Sequence, residues 1–416
     1  MTPTLADIQA AREAIRTSIR ETPVLPSGFL ERLTGVPVLL KCEQLQRTGS
    51  FKIRGATNFV LRLSPEDAAR GLVAASAGNH AQGVALAGSS RGISVTVVMP
   101  VTAPLAKVNA TVGYGARVVQ HGASLEEART EARAIAAREG RIYVPPFDDN
   151  GIIAGQGTVG LEIFEQAPDV EELLVPAGGG GLLAGIAIAM KALKPAIRVV
   201  GVQTMAMNGI QKSRAAGHAL EIPHARTVAD GAAVAGPSER TFALIEQHVD
   251  EIVACSEEAI AHAMVLLIER SKLIVEGAGA LAVAALQSGV YRPKGPTVAV
   301  LSGGNIDINL LGSIVRRGLV DAGRYQHLVI ELSDVPGELG LVASVIGAAS
   351  ANILEVEHNR EARGLPIGVA VVDLLLEVNG AAHFDADIRA LREHGLRGIS
   401  HGPARLATED ARSRRR

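Results

Sequence analysis

Short apolar segments alternate with helical segments between residues 72 and 137, and this alternation limits the possible folds more than any other feature of the sequence. The spacing predicts strands over 72–75, 95–100 and 117–119 and helices over 79–87, 103–112 and 125–137. The predicted strands are mostly apolar, which is typical of strands that are buried on both faces. We therefore expect a parallel sheet with helices on either side.

The same alternation returns after residue 155 and predicts a second lobe of the same class. Its strands are predicted over 172–175, 198–202 and 297–301, with a helix over 181–191. Before both lobes, a helix over 5–19 leads into an extended arm at 22–26. Ligand sites in such α/β sheets lie at the carboxyl ends of the strands. We expect two lobes that face each other.

The pattern changes near residue 321, and the remaining segments indicate a separate domain. They are predicted as strand 328–332, helix 337–349, strands 353–358 and 369–377, helix 384–393 and a short final strand from 398. This βαββα(β) order is that of a ferredoxin-like α+β domain. We predict one domain over 1–322, with a smaller lobe over roughly 50–150 inside it, and a second domain over 326–416.

The composition argues against nucleic-acid and membrane partners. The 416 residues include 41 basic and 43 acidic side chains, so no global field attracts a polyanion. Aromatic residues make up only 3%, which leaves little for base stacking. The most apolar stretch, 178–190, is shorter than the roughly 20 residues that span a bilayer. The basic tail at 412–416 is interpreted as a solvated end rather than a nucleic-acid patch.

The cysteines and the N-terminus indicate the compartment. Cys42 and Cys255 are far apart and form neither a disulfide framework nor a metal motif. The first residues lack the basic region and apolar core of a signal peptide. Since both features suit a reducing compartment, we expect a cytoplasmic protein.

A lysine at a junction between elements is the first candidate for chemistry. Lys52 lies in the segment SFKIRGA at 50–56, between an apolar stretch at 36–40 and a helical one at 56–61. A desolvated amine loses its proton readily and condenses with an aldehyde to form a Schiff base. A solvated surface lysine is the ordinary alternative, so the other motifs must decide between the two.

Two further motifs, each between a predicted strand and a predicted helix, suit anions. In SAGNHAQG at 76–83, free helix-terminal amides and small residues suit a carboxylate, and an ordinary helix cap by Ser76 or Asn79 is the alternative. In GGGGL at 178–182, successive amide donors suit a phosphate, and a flexible turn is the alternative. The glycine run has neither the lysine of a nucleotide P-loop nor the dinucleotide-binding spacing.

A fourth motif, LSGGN at 301–305, follows the last predicted parallel strand. Ser302 brings a hydroxyl to the carboxyl end of that strand, where it can hydrogen-bond a ring nitrogen. Together the motifs supply an amine for an aldehyde, a phosphate loop, a hydroxyl for a heterocycle and a carboxylate site. That set matches pyridoxal 5'-phosphate carrying an amino acid.

On these motifs the chain resembles the fold type II pyridoxal-phosphate enzymes, which have the tryptophan synthase β-like fold, and among them the threonine dehydratases. The resemblance covers roughly residues 4–320, with the motifs in the same order and spacing. It implies that Lys52 forms the Schiff base with pyridoxal 5'-phosphate and that Phe51 packs beside the ring. It also implies that Asn79 contacts the phenolic oxygen and that Ser302 faces the pyridine nitrogen.

The resemblance also implies the remaining binding groups and the reaction. The phosphate is expected to bind a loop of five residues, Gly178, Gly179, Gly180, Gly181 and Leu182. The substrate carboxylate is expected to bind Ser76, Ala77, Gly78, Asn79 and His80. Glu276, in EGAGA at 276–280, resembles an acidic residue near the ring. The implied reaction is β-elimination of L-threonine to 2-oxobutanoate and ammonia, and of L-serine to pyruvate, with Lys52 as base for the α-proton.

Serine racemases share this scaffold, but two positions of this chain differ from them. The racemases resemble SSGNH where this chain has Ala77, so a hydroxyl that would act on the opposite face of the substrate is missing. They also hold a divalent cation on carboxylates where this chain has Gln203 and Gly209. A hard cation needs oxygen ligands of that kind, so we predict no metal site.

The C-terminal segment is similar to an ACT domain, an amino-acid sensing module. The similarity is carried by DVPGEL at 334–339 and by Asn352 and Ile353 at the start of the next strand. It implies that an effector amino acid binds near 334–340, between two such domains; the alternative is that the domain only joins subunits. We expect a homodimer or homotetramer that feeds isoleucine synthesis or catabolism. A dehydratase of another β-hydroxy amino acid, such as 3-hydroxyaspartate, and a catalytically silent amino-acid sensor remain alternatives.

Overall fold

A computed structural model describes residues 2–361 and 365–403 and divides the chain into two compact units, 1–307 and 308–416. The sequence prediction separated the domains between 322 and 326, whereas the structure assigns the helix Ile308–Asp321 to the second unit. The predicted basic tail at 412–416 lies outside the described residues.

The first unit contains two sheets. Its strands are β1 (Val24–Pro26), β2 (Val38–Cys42), β3 (Leu72–Ala75), β4 (Val95–Met99), β5 (Arg117–Gln120), β6 (Ile142–Tyr143), β7 (Glu172–Pro176), β8 (Arg198–Thr204), β9 (Glu251–Cys255) and β10 (Thr297–Leu301). The smaller sheet has the order β5-β4-β3-β6 and is entirely parallel. The larger sheet has the order β1-β2-β10-β7-β8-β9 and is parallel except for β1. The predicted pair of parallel α/β lobes is confirmed.

Helices connect these strands. They are α1 (Leu5–Ile15), α2 (Gly28–Thr34), α3 (Lys52–Leu61), α4 (Pro65–Arg70), α5 (Asn79–Ser89), α6 (Leu105–Gly113), α7 (Leu125–Glu139), α8 (Asn150–Gln166), α9 (Gly181–Leu193), α10 (Gly209–Ala216), α11 (Glu239–His248), α12 (Glu257–Leu266) and α13 (Gly277–Gln287). Helices α9 and α13 are buried over almost their whole length, as helices that are apolar all round must be.

Helix α8 shows how a cap sets a boundary that periodicity leaves open. The sequence pattern predicted no element between the helix at 125–137 and the strand at 172–175, and in the structure a helix begins there at Asn150. The carboxylate of Asp149 accepts hydrogen bonds from the backbone amides of Gly151 and Ile152, which are two of the donors that a helix start leaves unpaired. The segment just before α8 is thereby fixed next to the end of β6.

The second unit is an α+β fold. It consists of α14 (Ile308–Asp321), β11 (Tyr325–Ser333), α15 (Glu338–Ala348), β12 (Asn352–Asn359), β13 (Val369–Glu377), α16 (Ala381–Glu393) and β14 (Arg397–Pro403). The sheet order is β12-β13-β11-β14, and all of its pairs are antiparallel. Strand β13 alternates buried and half-buried residues, which indicates that one face packs on the helices. From β11 onward, this βαββαβ order is the predicted ferredoxin-like arrangement.

None of the helices formed by residues 2–361 and 365–403 is both long enough and apolar enough to cross a membrane. Both cysteines, Cys42 and Cys255, are free and buried.

Candidate active site

Lys52 is the first residue of α3, and its side chain is partly buried. Its Nζ donates a hydrogen bond of 2.8 Å to the backbone oxygen of Pro146 and lies 5.2 Å from the centroid of the Phe51 ring. Burial lowers the pKa of this amine to about 8, although the negative charge of Glu276 opposes the shift. This amine therefore loses its proton more readily than an ordinary lysine does, as a nucleophilic or basic amine requires.

The turn into α3 lies against the segment that follows β10. The backbone amide of Phe51 donates to the oxygen of Ser302 at 3.1 Å, and Ser50 pairs with Gly303 as an isolated bridge. Ser302 is buried, and its hydroxyl donates only a long hydrogen bond, of 3.5 Å, to the backbone oxygen of Ala278. This hydroxyl retains most of its capacity to bond a ligand atom.

Asn79, the first residue of α5, joins the two lobes. Its Nδ2 donates to Oε1 of Glu276 at 2.6 Å, and its Oδ1 accepts from Nδ2 of Asn305 at 2.7 Å. Glu276 precedes α13 and is almost fully buried. Burial, reinforced by the charge of Asp230, raises the pKa of the Glu276 carboxyl to about 7, although the bond from Asn79 counteracts this. Glu276 therefore exchanges a proton near neutral pH.

We expect Glu276→Gln to stabilise the cofactor-free protein at pH 8 but not at pH 5. The folded protein holds a proton on Glu276 up to a pKa of about 7, whereas the ordinary value is 4.5. The folded state thus binds more protons between these values, and the free energy of unfolding falls as pH rises through that window. Glutamine removes this loss and keeps an oxygen for Asn79. Denaturant unfolding at both pH values measures the difference, with exposed Glu66→Gln as control; an equal effect at pH 5 and pH 8 would contradict the assignment.

The segment 76–80 combines a free helix start with open space. Ser76 follows β3, and its hydroxyl accepts a hydrogen bond from the amide of Gly78 at 3.1 Å. Gly78 precedes α5 without a side-chain cap, and a Cβ placed on it would meet nothing within 4 Å. Unpaired amides beside open space suit an anion such as a carboxylate. Ala77 lies between Ser76 and Gly78 in the chain and is partly buried.

His80 is buried within the same helix, and its ring is engaged with the backbone. Nε2 lies 2.9 Å from the oxygen of Val144, so this nitrogen carries a proton and donates it. Burial, together with the charge of Lys52, lowers the pKa of the imidazole to about 3. His80 is therefore a neutral donor that links α5 to the end of β6.

The glycine run lies between β7 and α9, as predicted, and packs closely against its surroundings. Gly180 has φ +92° and precedes α9 without a side-chain cap, which leaves the first amides of the helix free. A Cβ on Gly179 would lie 2.4 Å from the ring of Phe147, and one on Gly181 would lie 3.0 Å from its Cβ. Only glycine allows this backbone to approach so closely.

A segment that sequence reasoning missed crosses between these elements, and we call residues 227–232 the strap. A Cβ on Gly231 would lie 3.2 Å from Oε1 of Glu276, and one on Gly178 would lie 3.1 Å from Cα of Ala232. The carboxylate of Glu257 accepts hydrogen bonds from the amide of Val228 at 2.6 Å and from the hydroxyl of Thr227. The strap therefore touches both the glycine run and Glu276.

Asp230 of the strap contacts α6, a helix of the smaller lobe. Lys107 of α6 donates to the carboxylate of Asp230 at 2.6 Å, and its side chain is only 14% exposed. The other oxygen of Asp230 accepts from the amide of Gly231 at 2.8 Å. The pattern Asp-Gly in a loop suggests a turn, but nothing in the sequence pairs it with Lys107.

The residues present fit pyridoxal phosphate. The structure contains four groups that suit this cofactor and its substrate. They are the partly buried amine of Lys52, the uncapped glycine-rich start of α9, the buried hydroxyl of Ser302 and the uncapped start of α5. Direct contacts connect the first three of these groups. Lys52 hydrogen-bonds the oxygen of Pro146, the adjacent Phe147 packs on Gly179, and the amide of Phe51 hydrogen-bonds the oxygen of Ser302. Their chemistry matches the aldehyde, phosphate, ring nitrogen and substrate carboxylate, respectively.

Gln203 occupies one of the positions where a cation was considered. Its Nε2 donates to the backbone oxygens of Ala177 and Met207, at 3.3 Å each, and its Oε1 accepts from the amide of Gln211 at 2.9 Å. The side-chain amide of Gln203 thus binds two backbone oxygens directly, and one of them belongs to Ala177, the residue before the glycine run.

Comparison with known proteins defines the class. Residues 15–303 match the family model described as pyridoxal-phosphate dependent enzyme, and the chain belongs to that family. The fold is accordingly the tryptophan synthase β-like fold of pyridoxal-phosphate enzymes.

Three proteins to which the chain is similar are an ammonia-lyase, a deaminase and a racemase. The chain is 46% identical over 389 residues to the L-threonine ammonia-lyase of Geobacter sulfurreducens, which covers 93% of this chain and 97% of the relative. It is similar to the processed threonine deaminase isoform 2 from Solanum lycopersicum, with 36% identity, a TM-score of 0.71 and coverage of 76% and 90%. It is also similar to maize serine racemase, with 33% identity, a TM-score of 0.73 and coverage of 77% and 98%.

Proposed function

We propose that this protein is a pyridoxal-phosphate dependent ammonia-lyase that converts L-threonine to 2-oxobutanoate and ammonia and L-serine to pyruvate. The observation that carries the proposal is the Lys52 amine, with its pKa lowered to about 8, beside a glycine-rich helix start suited to phosphate. The 46% identity to an L-threonine ammonia-lyase, over nearly the full length of both chains, supports the choice of reaction.

Lys52 is proposed as the catalytic base. When bound, pyridoxal phosphate supplies an aldehyde for amines and an electron sink that acidifies the α-proton of a bound amino acid. The Lys52 amine is basic yet not fully protonated near neutral pH, so it can accept that α-proton. The bond to the Pro146 oxygen orients Nζ, and the partial burial of the side chain limits its exposure to water.

The other residues are proposed to hold the cofactor. The free amides from Gly178 to Leu182 would bind the phosphate at the positive end of α9. Asn79 would contact the phenolic oxygen, and Phe51 would pack beside the ring. Ser302 would meet the pyridine nitrogen with a neutral hydroxyl, which does not hold a proton on that nitrogen as a carboxylate would. A neutral hydroxyl at this position would suit elimination better than a carboxylate would.

The substrate is proposed to bind through its carboxylate at 76–80. The support is the uncapped start of α5 and the open space beside Gly78. The buried, neutral His80 fixes the first turn of this helix to Val144, so its ring would act by orientation.

The test is an assay of the purified protein, reconstituted with pyridoxal phosphate, for 2-oxo acid release from L-threonine, L-serine and 3-hydroxyaspartate. We expect oxo acid from threonine and serine. Release only from 3-hydroxyaspartate would favour the alternative dehydratase. Tight binding of an amino acid without release from any substrate would favour the silent sensor.

Two further measurements on the reconstituted protein test the racemase alternative. Ala77 has no hydroxyl to deliver a proton to the opposite face of the substrate, so we propose that D-serine does not accumulate from L-serine. We also propose no divalent cation, because the amide of Gln203 bonds the oxygens of Ala177 and Met207 directly. Activity unchanged by a chelator, with no D-serine on chiral chromatography, is the expected outcome.

We propose that the second unit is an ACT-like regulatory domain that binds an effector amino acid near 334–340. Support comes from its ferredoxin-like sheet order and from Gly337, which has φ +102° and precedes α15 without a side-chain cap. Thermal unfolding of the full chain with each common amino acid would reveal an effector as a raised midpoint. No shift with any amino acid would favour a purely subunit-joining role.

The sheet edges and the cysteines bear on the assembly and the compartment. We propose a homodimer or homotetramer, whose mass light scattering would measure, because sheet edges of this kind pair readily. A reducing cytoplasm suits the two free, buried cysteines.

A further inference from the structure

Four charged side chains form a buried cluster next to α3 that no step of the proposed reaction uses. They are Lys41 of β2, Glu43 in the turn after it, Arg54 of α3 and Glu162 of α8, and each is at most 4% exposed. Two cations and two carboxylates balance the charge. Charges are rarely removed from water so completely unless they are fully paired.

Arg54 is the centre of the cluster. Its Nε and Nη2 donate to the two oxygens of Glu43, at 2.8 and 2.7 Å. Its Nη1 and Nη2 donate to the two oxygens of Glu162, at 2.6 and 2.8 Å. Burial disfavours the charged guanidinium, but the two carboxylates outweigh it and raise the pKa of Arg54. Two forked bonds fix the plane of the guanidinium as no lysine could.

Further hydrogen bonds pair the ammonium group of Lys41 and two neighbouring threonine hydroxyls. Nζ of Lys41 donates to Oε2 of Glu162 at 2.6 Å and to the backbone oxygen of Thr22 at 2.7 Å. The hydroxyls of Thr22 and Thr158 donate, respectively, to Glu43 and to the oxygen of Gly155, and Thr158 accepts from Arg54 at 3.1 Å. A satisfied buried network of this kind holds its elements in a single arrangement.

The cluster lies where α3 crosses α8, and Lys52 is at the start of α3. The helices approach so closely that a Cβ on Gly155 would lie 2.6 Å from Cα of Gly55 and 2.7 Å from the oxygen of Arg54. Lys52 begins α3, and its partner Pro146 lies four residues before α8. The start of α3 has no side-chain cap, and the backbone contacts of Ser50 and Phe51 hold it on the side of β10.

We infer that the cluster of Lys41, Glu43, Arg54 and Glu162 is the positioning device of Lys52: it fixes α3 on α8 so that Nζ meets the Pro146 oxygen and stays out of water. Arg54 and Glu162 are positioning residues, because they act through Lys52 and touch no reacting atom. The inference rests on the role of Lys52 in the proposed function, but the burial of the amine can be tested without any reaction.

The test uses the full chain with Arg54→Lys and Glu162→Asp, which keep each charge but break the forked bonds. The matched control is Arg12→Lys. Arg12 of α1 also makes forked bonds to a glutamate of α8, Glu165, but at the exposed surface. Circular dichroism first establishes that each variant is folded.

The first readout is the pH dependence of acetylation of Lys52 in cofactor-free protein, followed by mass spectrometry with exposed Lys212 as internal reference. The wild-type midpoint is expected near the pKa of about 8. In Arg54→Lys and Glu162→Asp a less buried amine should titrate about one unit higher. In Arg12→Lys the midpoint should not move.

The second readout is steady-state kinetics of the reconstituted enzyme with L-threonine. A displaced base should lower kcat by about tenfold or more, while KM changes by less than about threefold. Folded variants with an unchanged Lys52 midpoint and unchanged kcat would overturn the inference, and so would failure of both variants to fold, since the cluster would then serve the fold alone. Absence of oxo acid from the wild type would refute the proposed function instead, and the acetylation result would still stand.

Discussion

Replacing Lys52 by alanine is expected to abolish release of 2-oxo acid from L-threonine, with a loss of at least about a thousandfold in kcat. The change removes both the amine proposed to join the cofactor and the proposed base for the α-proton. It deletes one hydrogen bond, to the Pro146 oxygen, and leaves the backbone of α3 intact. The fold should therefore survive. Oxo acid formation and the visible absorption of reconstituted protein measure the effect.

Lys212→Ala is the matched control, because this lysine is exposed. It should retain wild-type activity and absorption. A Lys52→Ala protein that is folded and still releases oxo acid at more than a few per cent of the wild-type rate would show that another group is the base. Restoration of part of the activity by a small added amine would support the assigned role, since a free amine can replace the missing base.

Gly155→Ala is expected to lower the free energy of unfolding by about 3 kcal/mol or more. The added Cβ would lie 2.6 Å from Cα of Gly55 and 2.7 Å from the oxygen of Arg54, and both of these are backbone atoms. No side chain can rotate away, so α3 and α8 must separate along their crossing. Urea unfolding measures the loss, and kcat should fall with it because the start of α3 would move.

Gly113→Ala provides the contrast. Gly113 is the last residue of α6, and a Cβ placed there would meet nothing within 4 Å. Alanine is the better helix former by about 1 kcal/mol, so this variant should be as stable as the wild type or slightly more so. Equal losses for both variants would mean that close helix packing is not the cause.

The fold class could be predicted from the sequence because its signals are local. Buried parallel strands are short apolar runs, and β3 and β10 were predicted with their observed ends. The sheet to which a strand belongs is not a local property. Strand β2 precedes α3 in the chain, yet it pairs with β10, more than 250 residues later. The unit to which a helix belongs is not a local property either, because α14 is helical whichever unit it joins.

The candidate site divides in the same way. Lys52, the glycine run and Ser302 could be proposed from the sequence because each lies where a strand or an apolar stretch gives way to a helix or turn. Phe147, Asn305 and the strap could not be assigned, because their importance lies in contacts with distant residues. Arg54 was visible within the Lys52 motif, but its partner Glu162 is 108 residues away. Sequence patterns do not specify such pairings.

Polar contacts join the two lobes beside the candidate site, and contacts of this kind depend on the salt concentration. Lys107 to Asp230 and Asn79 to Glu276 both join a helix of the smaller sheet to the larger lobe. Asp230 is about half exposed, so dissolved ions weaken its attraction to Lys107 far more than they weaken the apolar core. Raised ionic strength would thus loosen this contact while the apolar core stays packed, and turnover should respond to salt at concentrations that leave the free energy of unfolding unchanged.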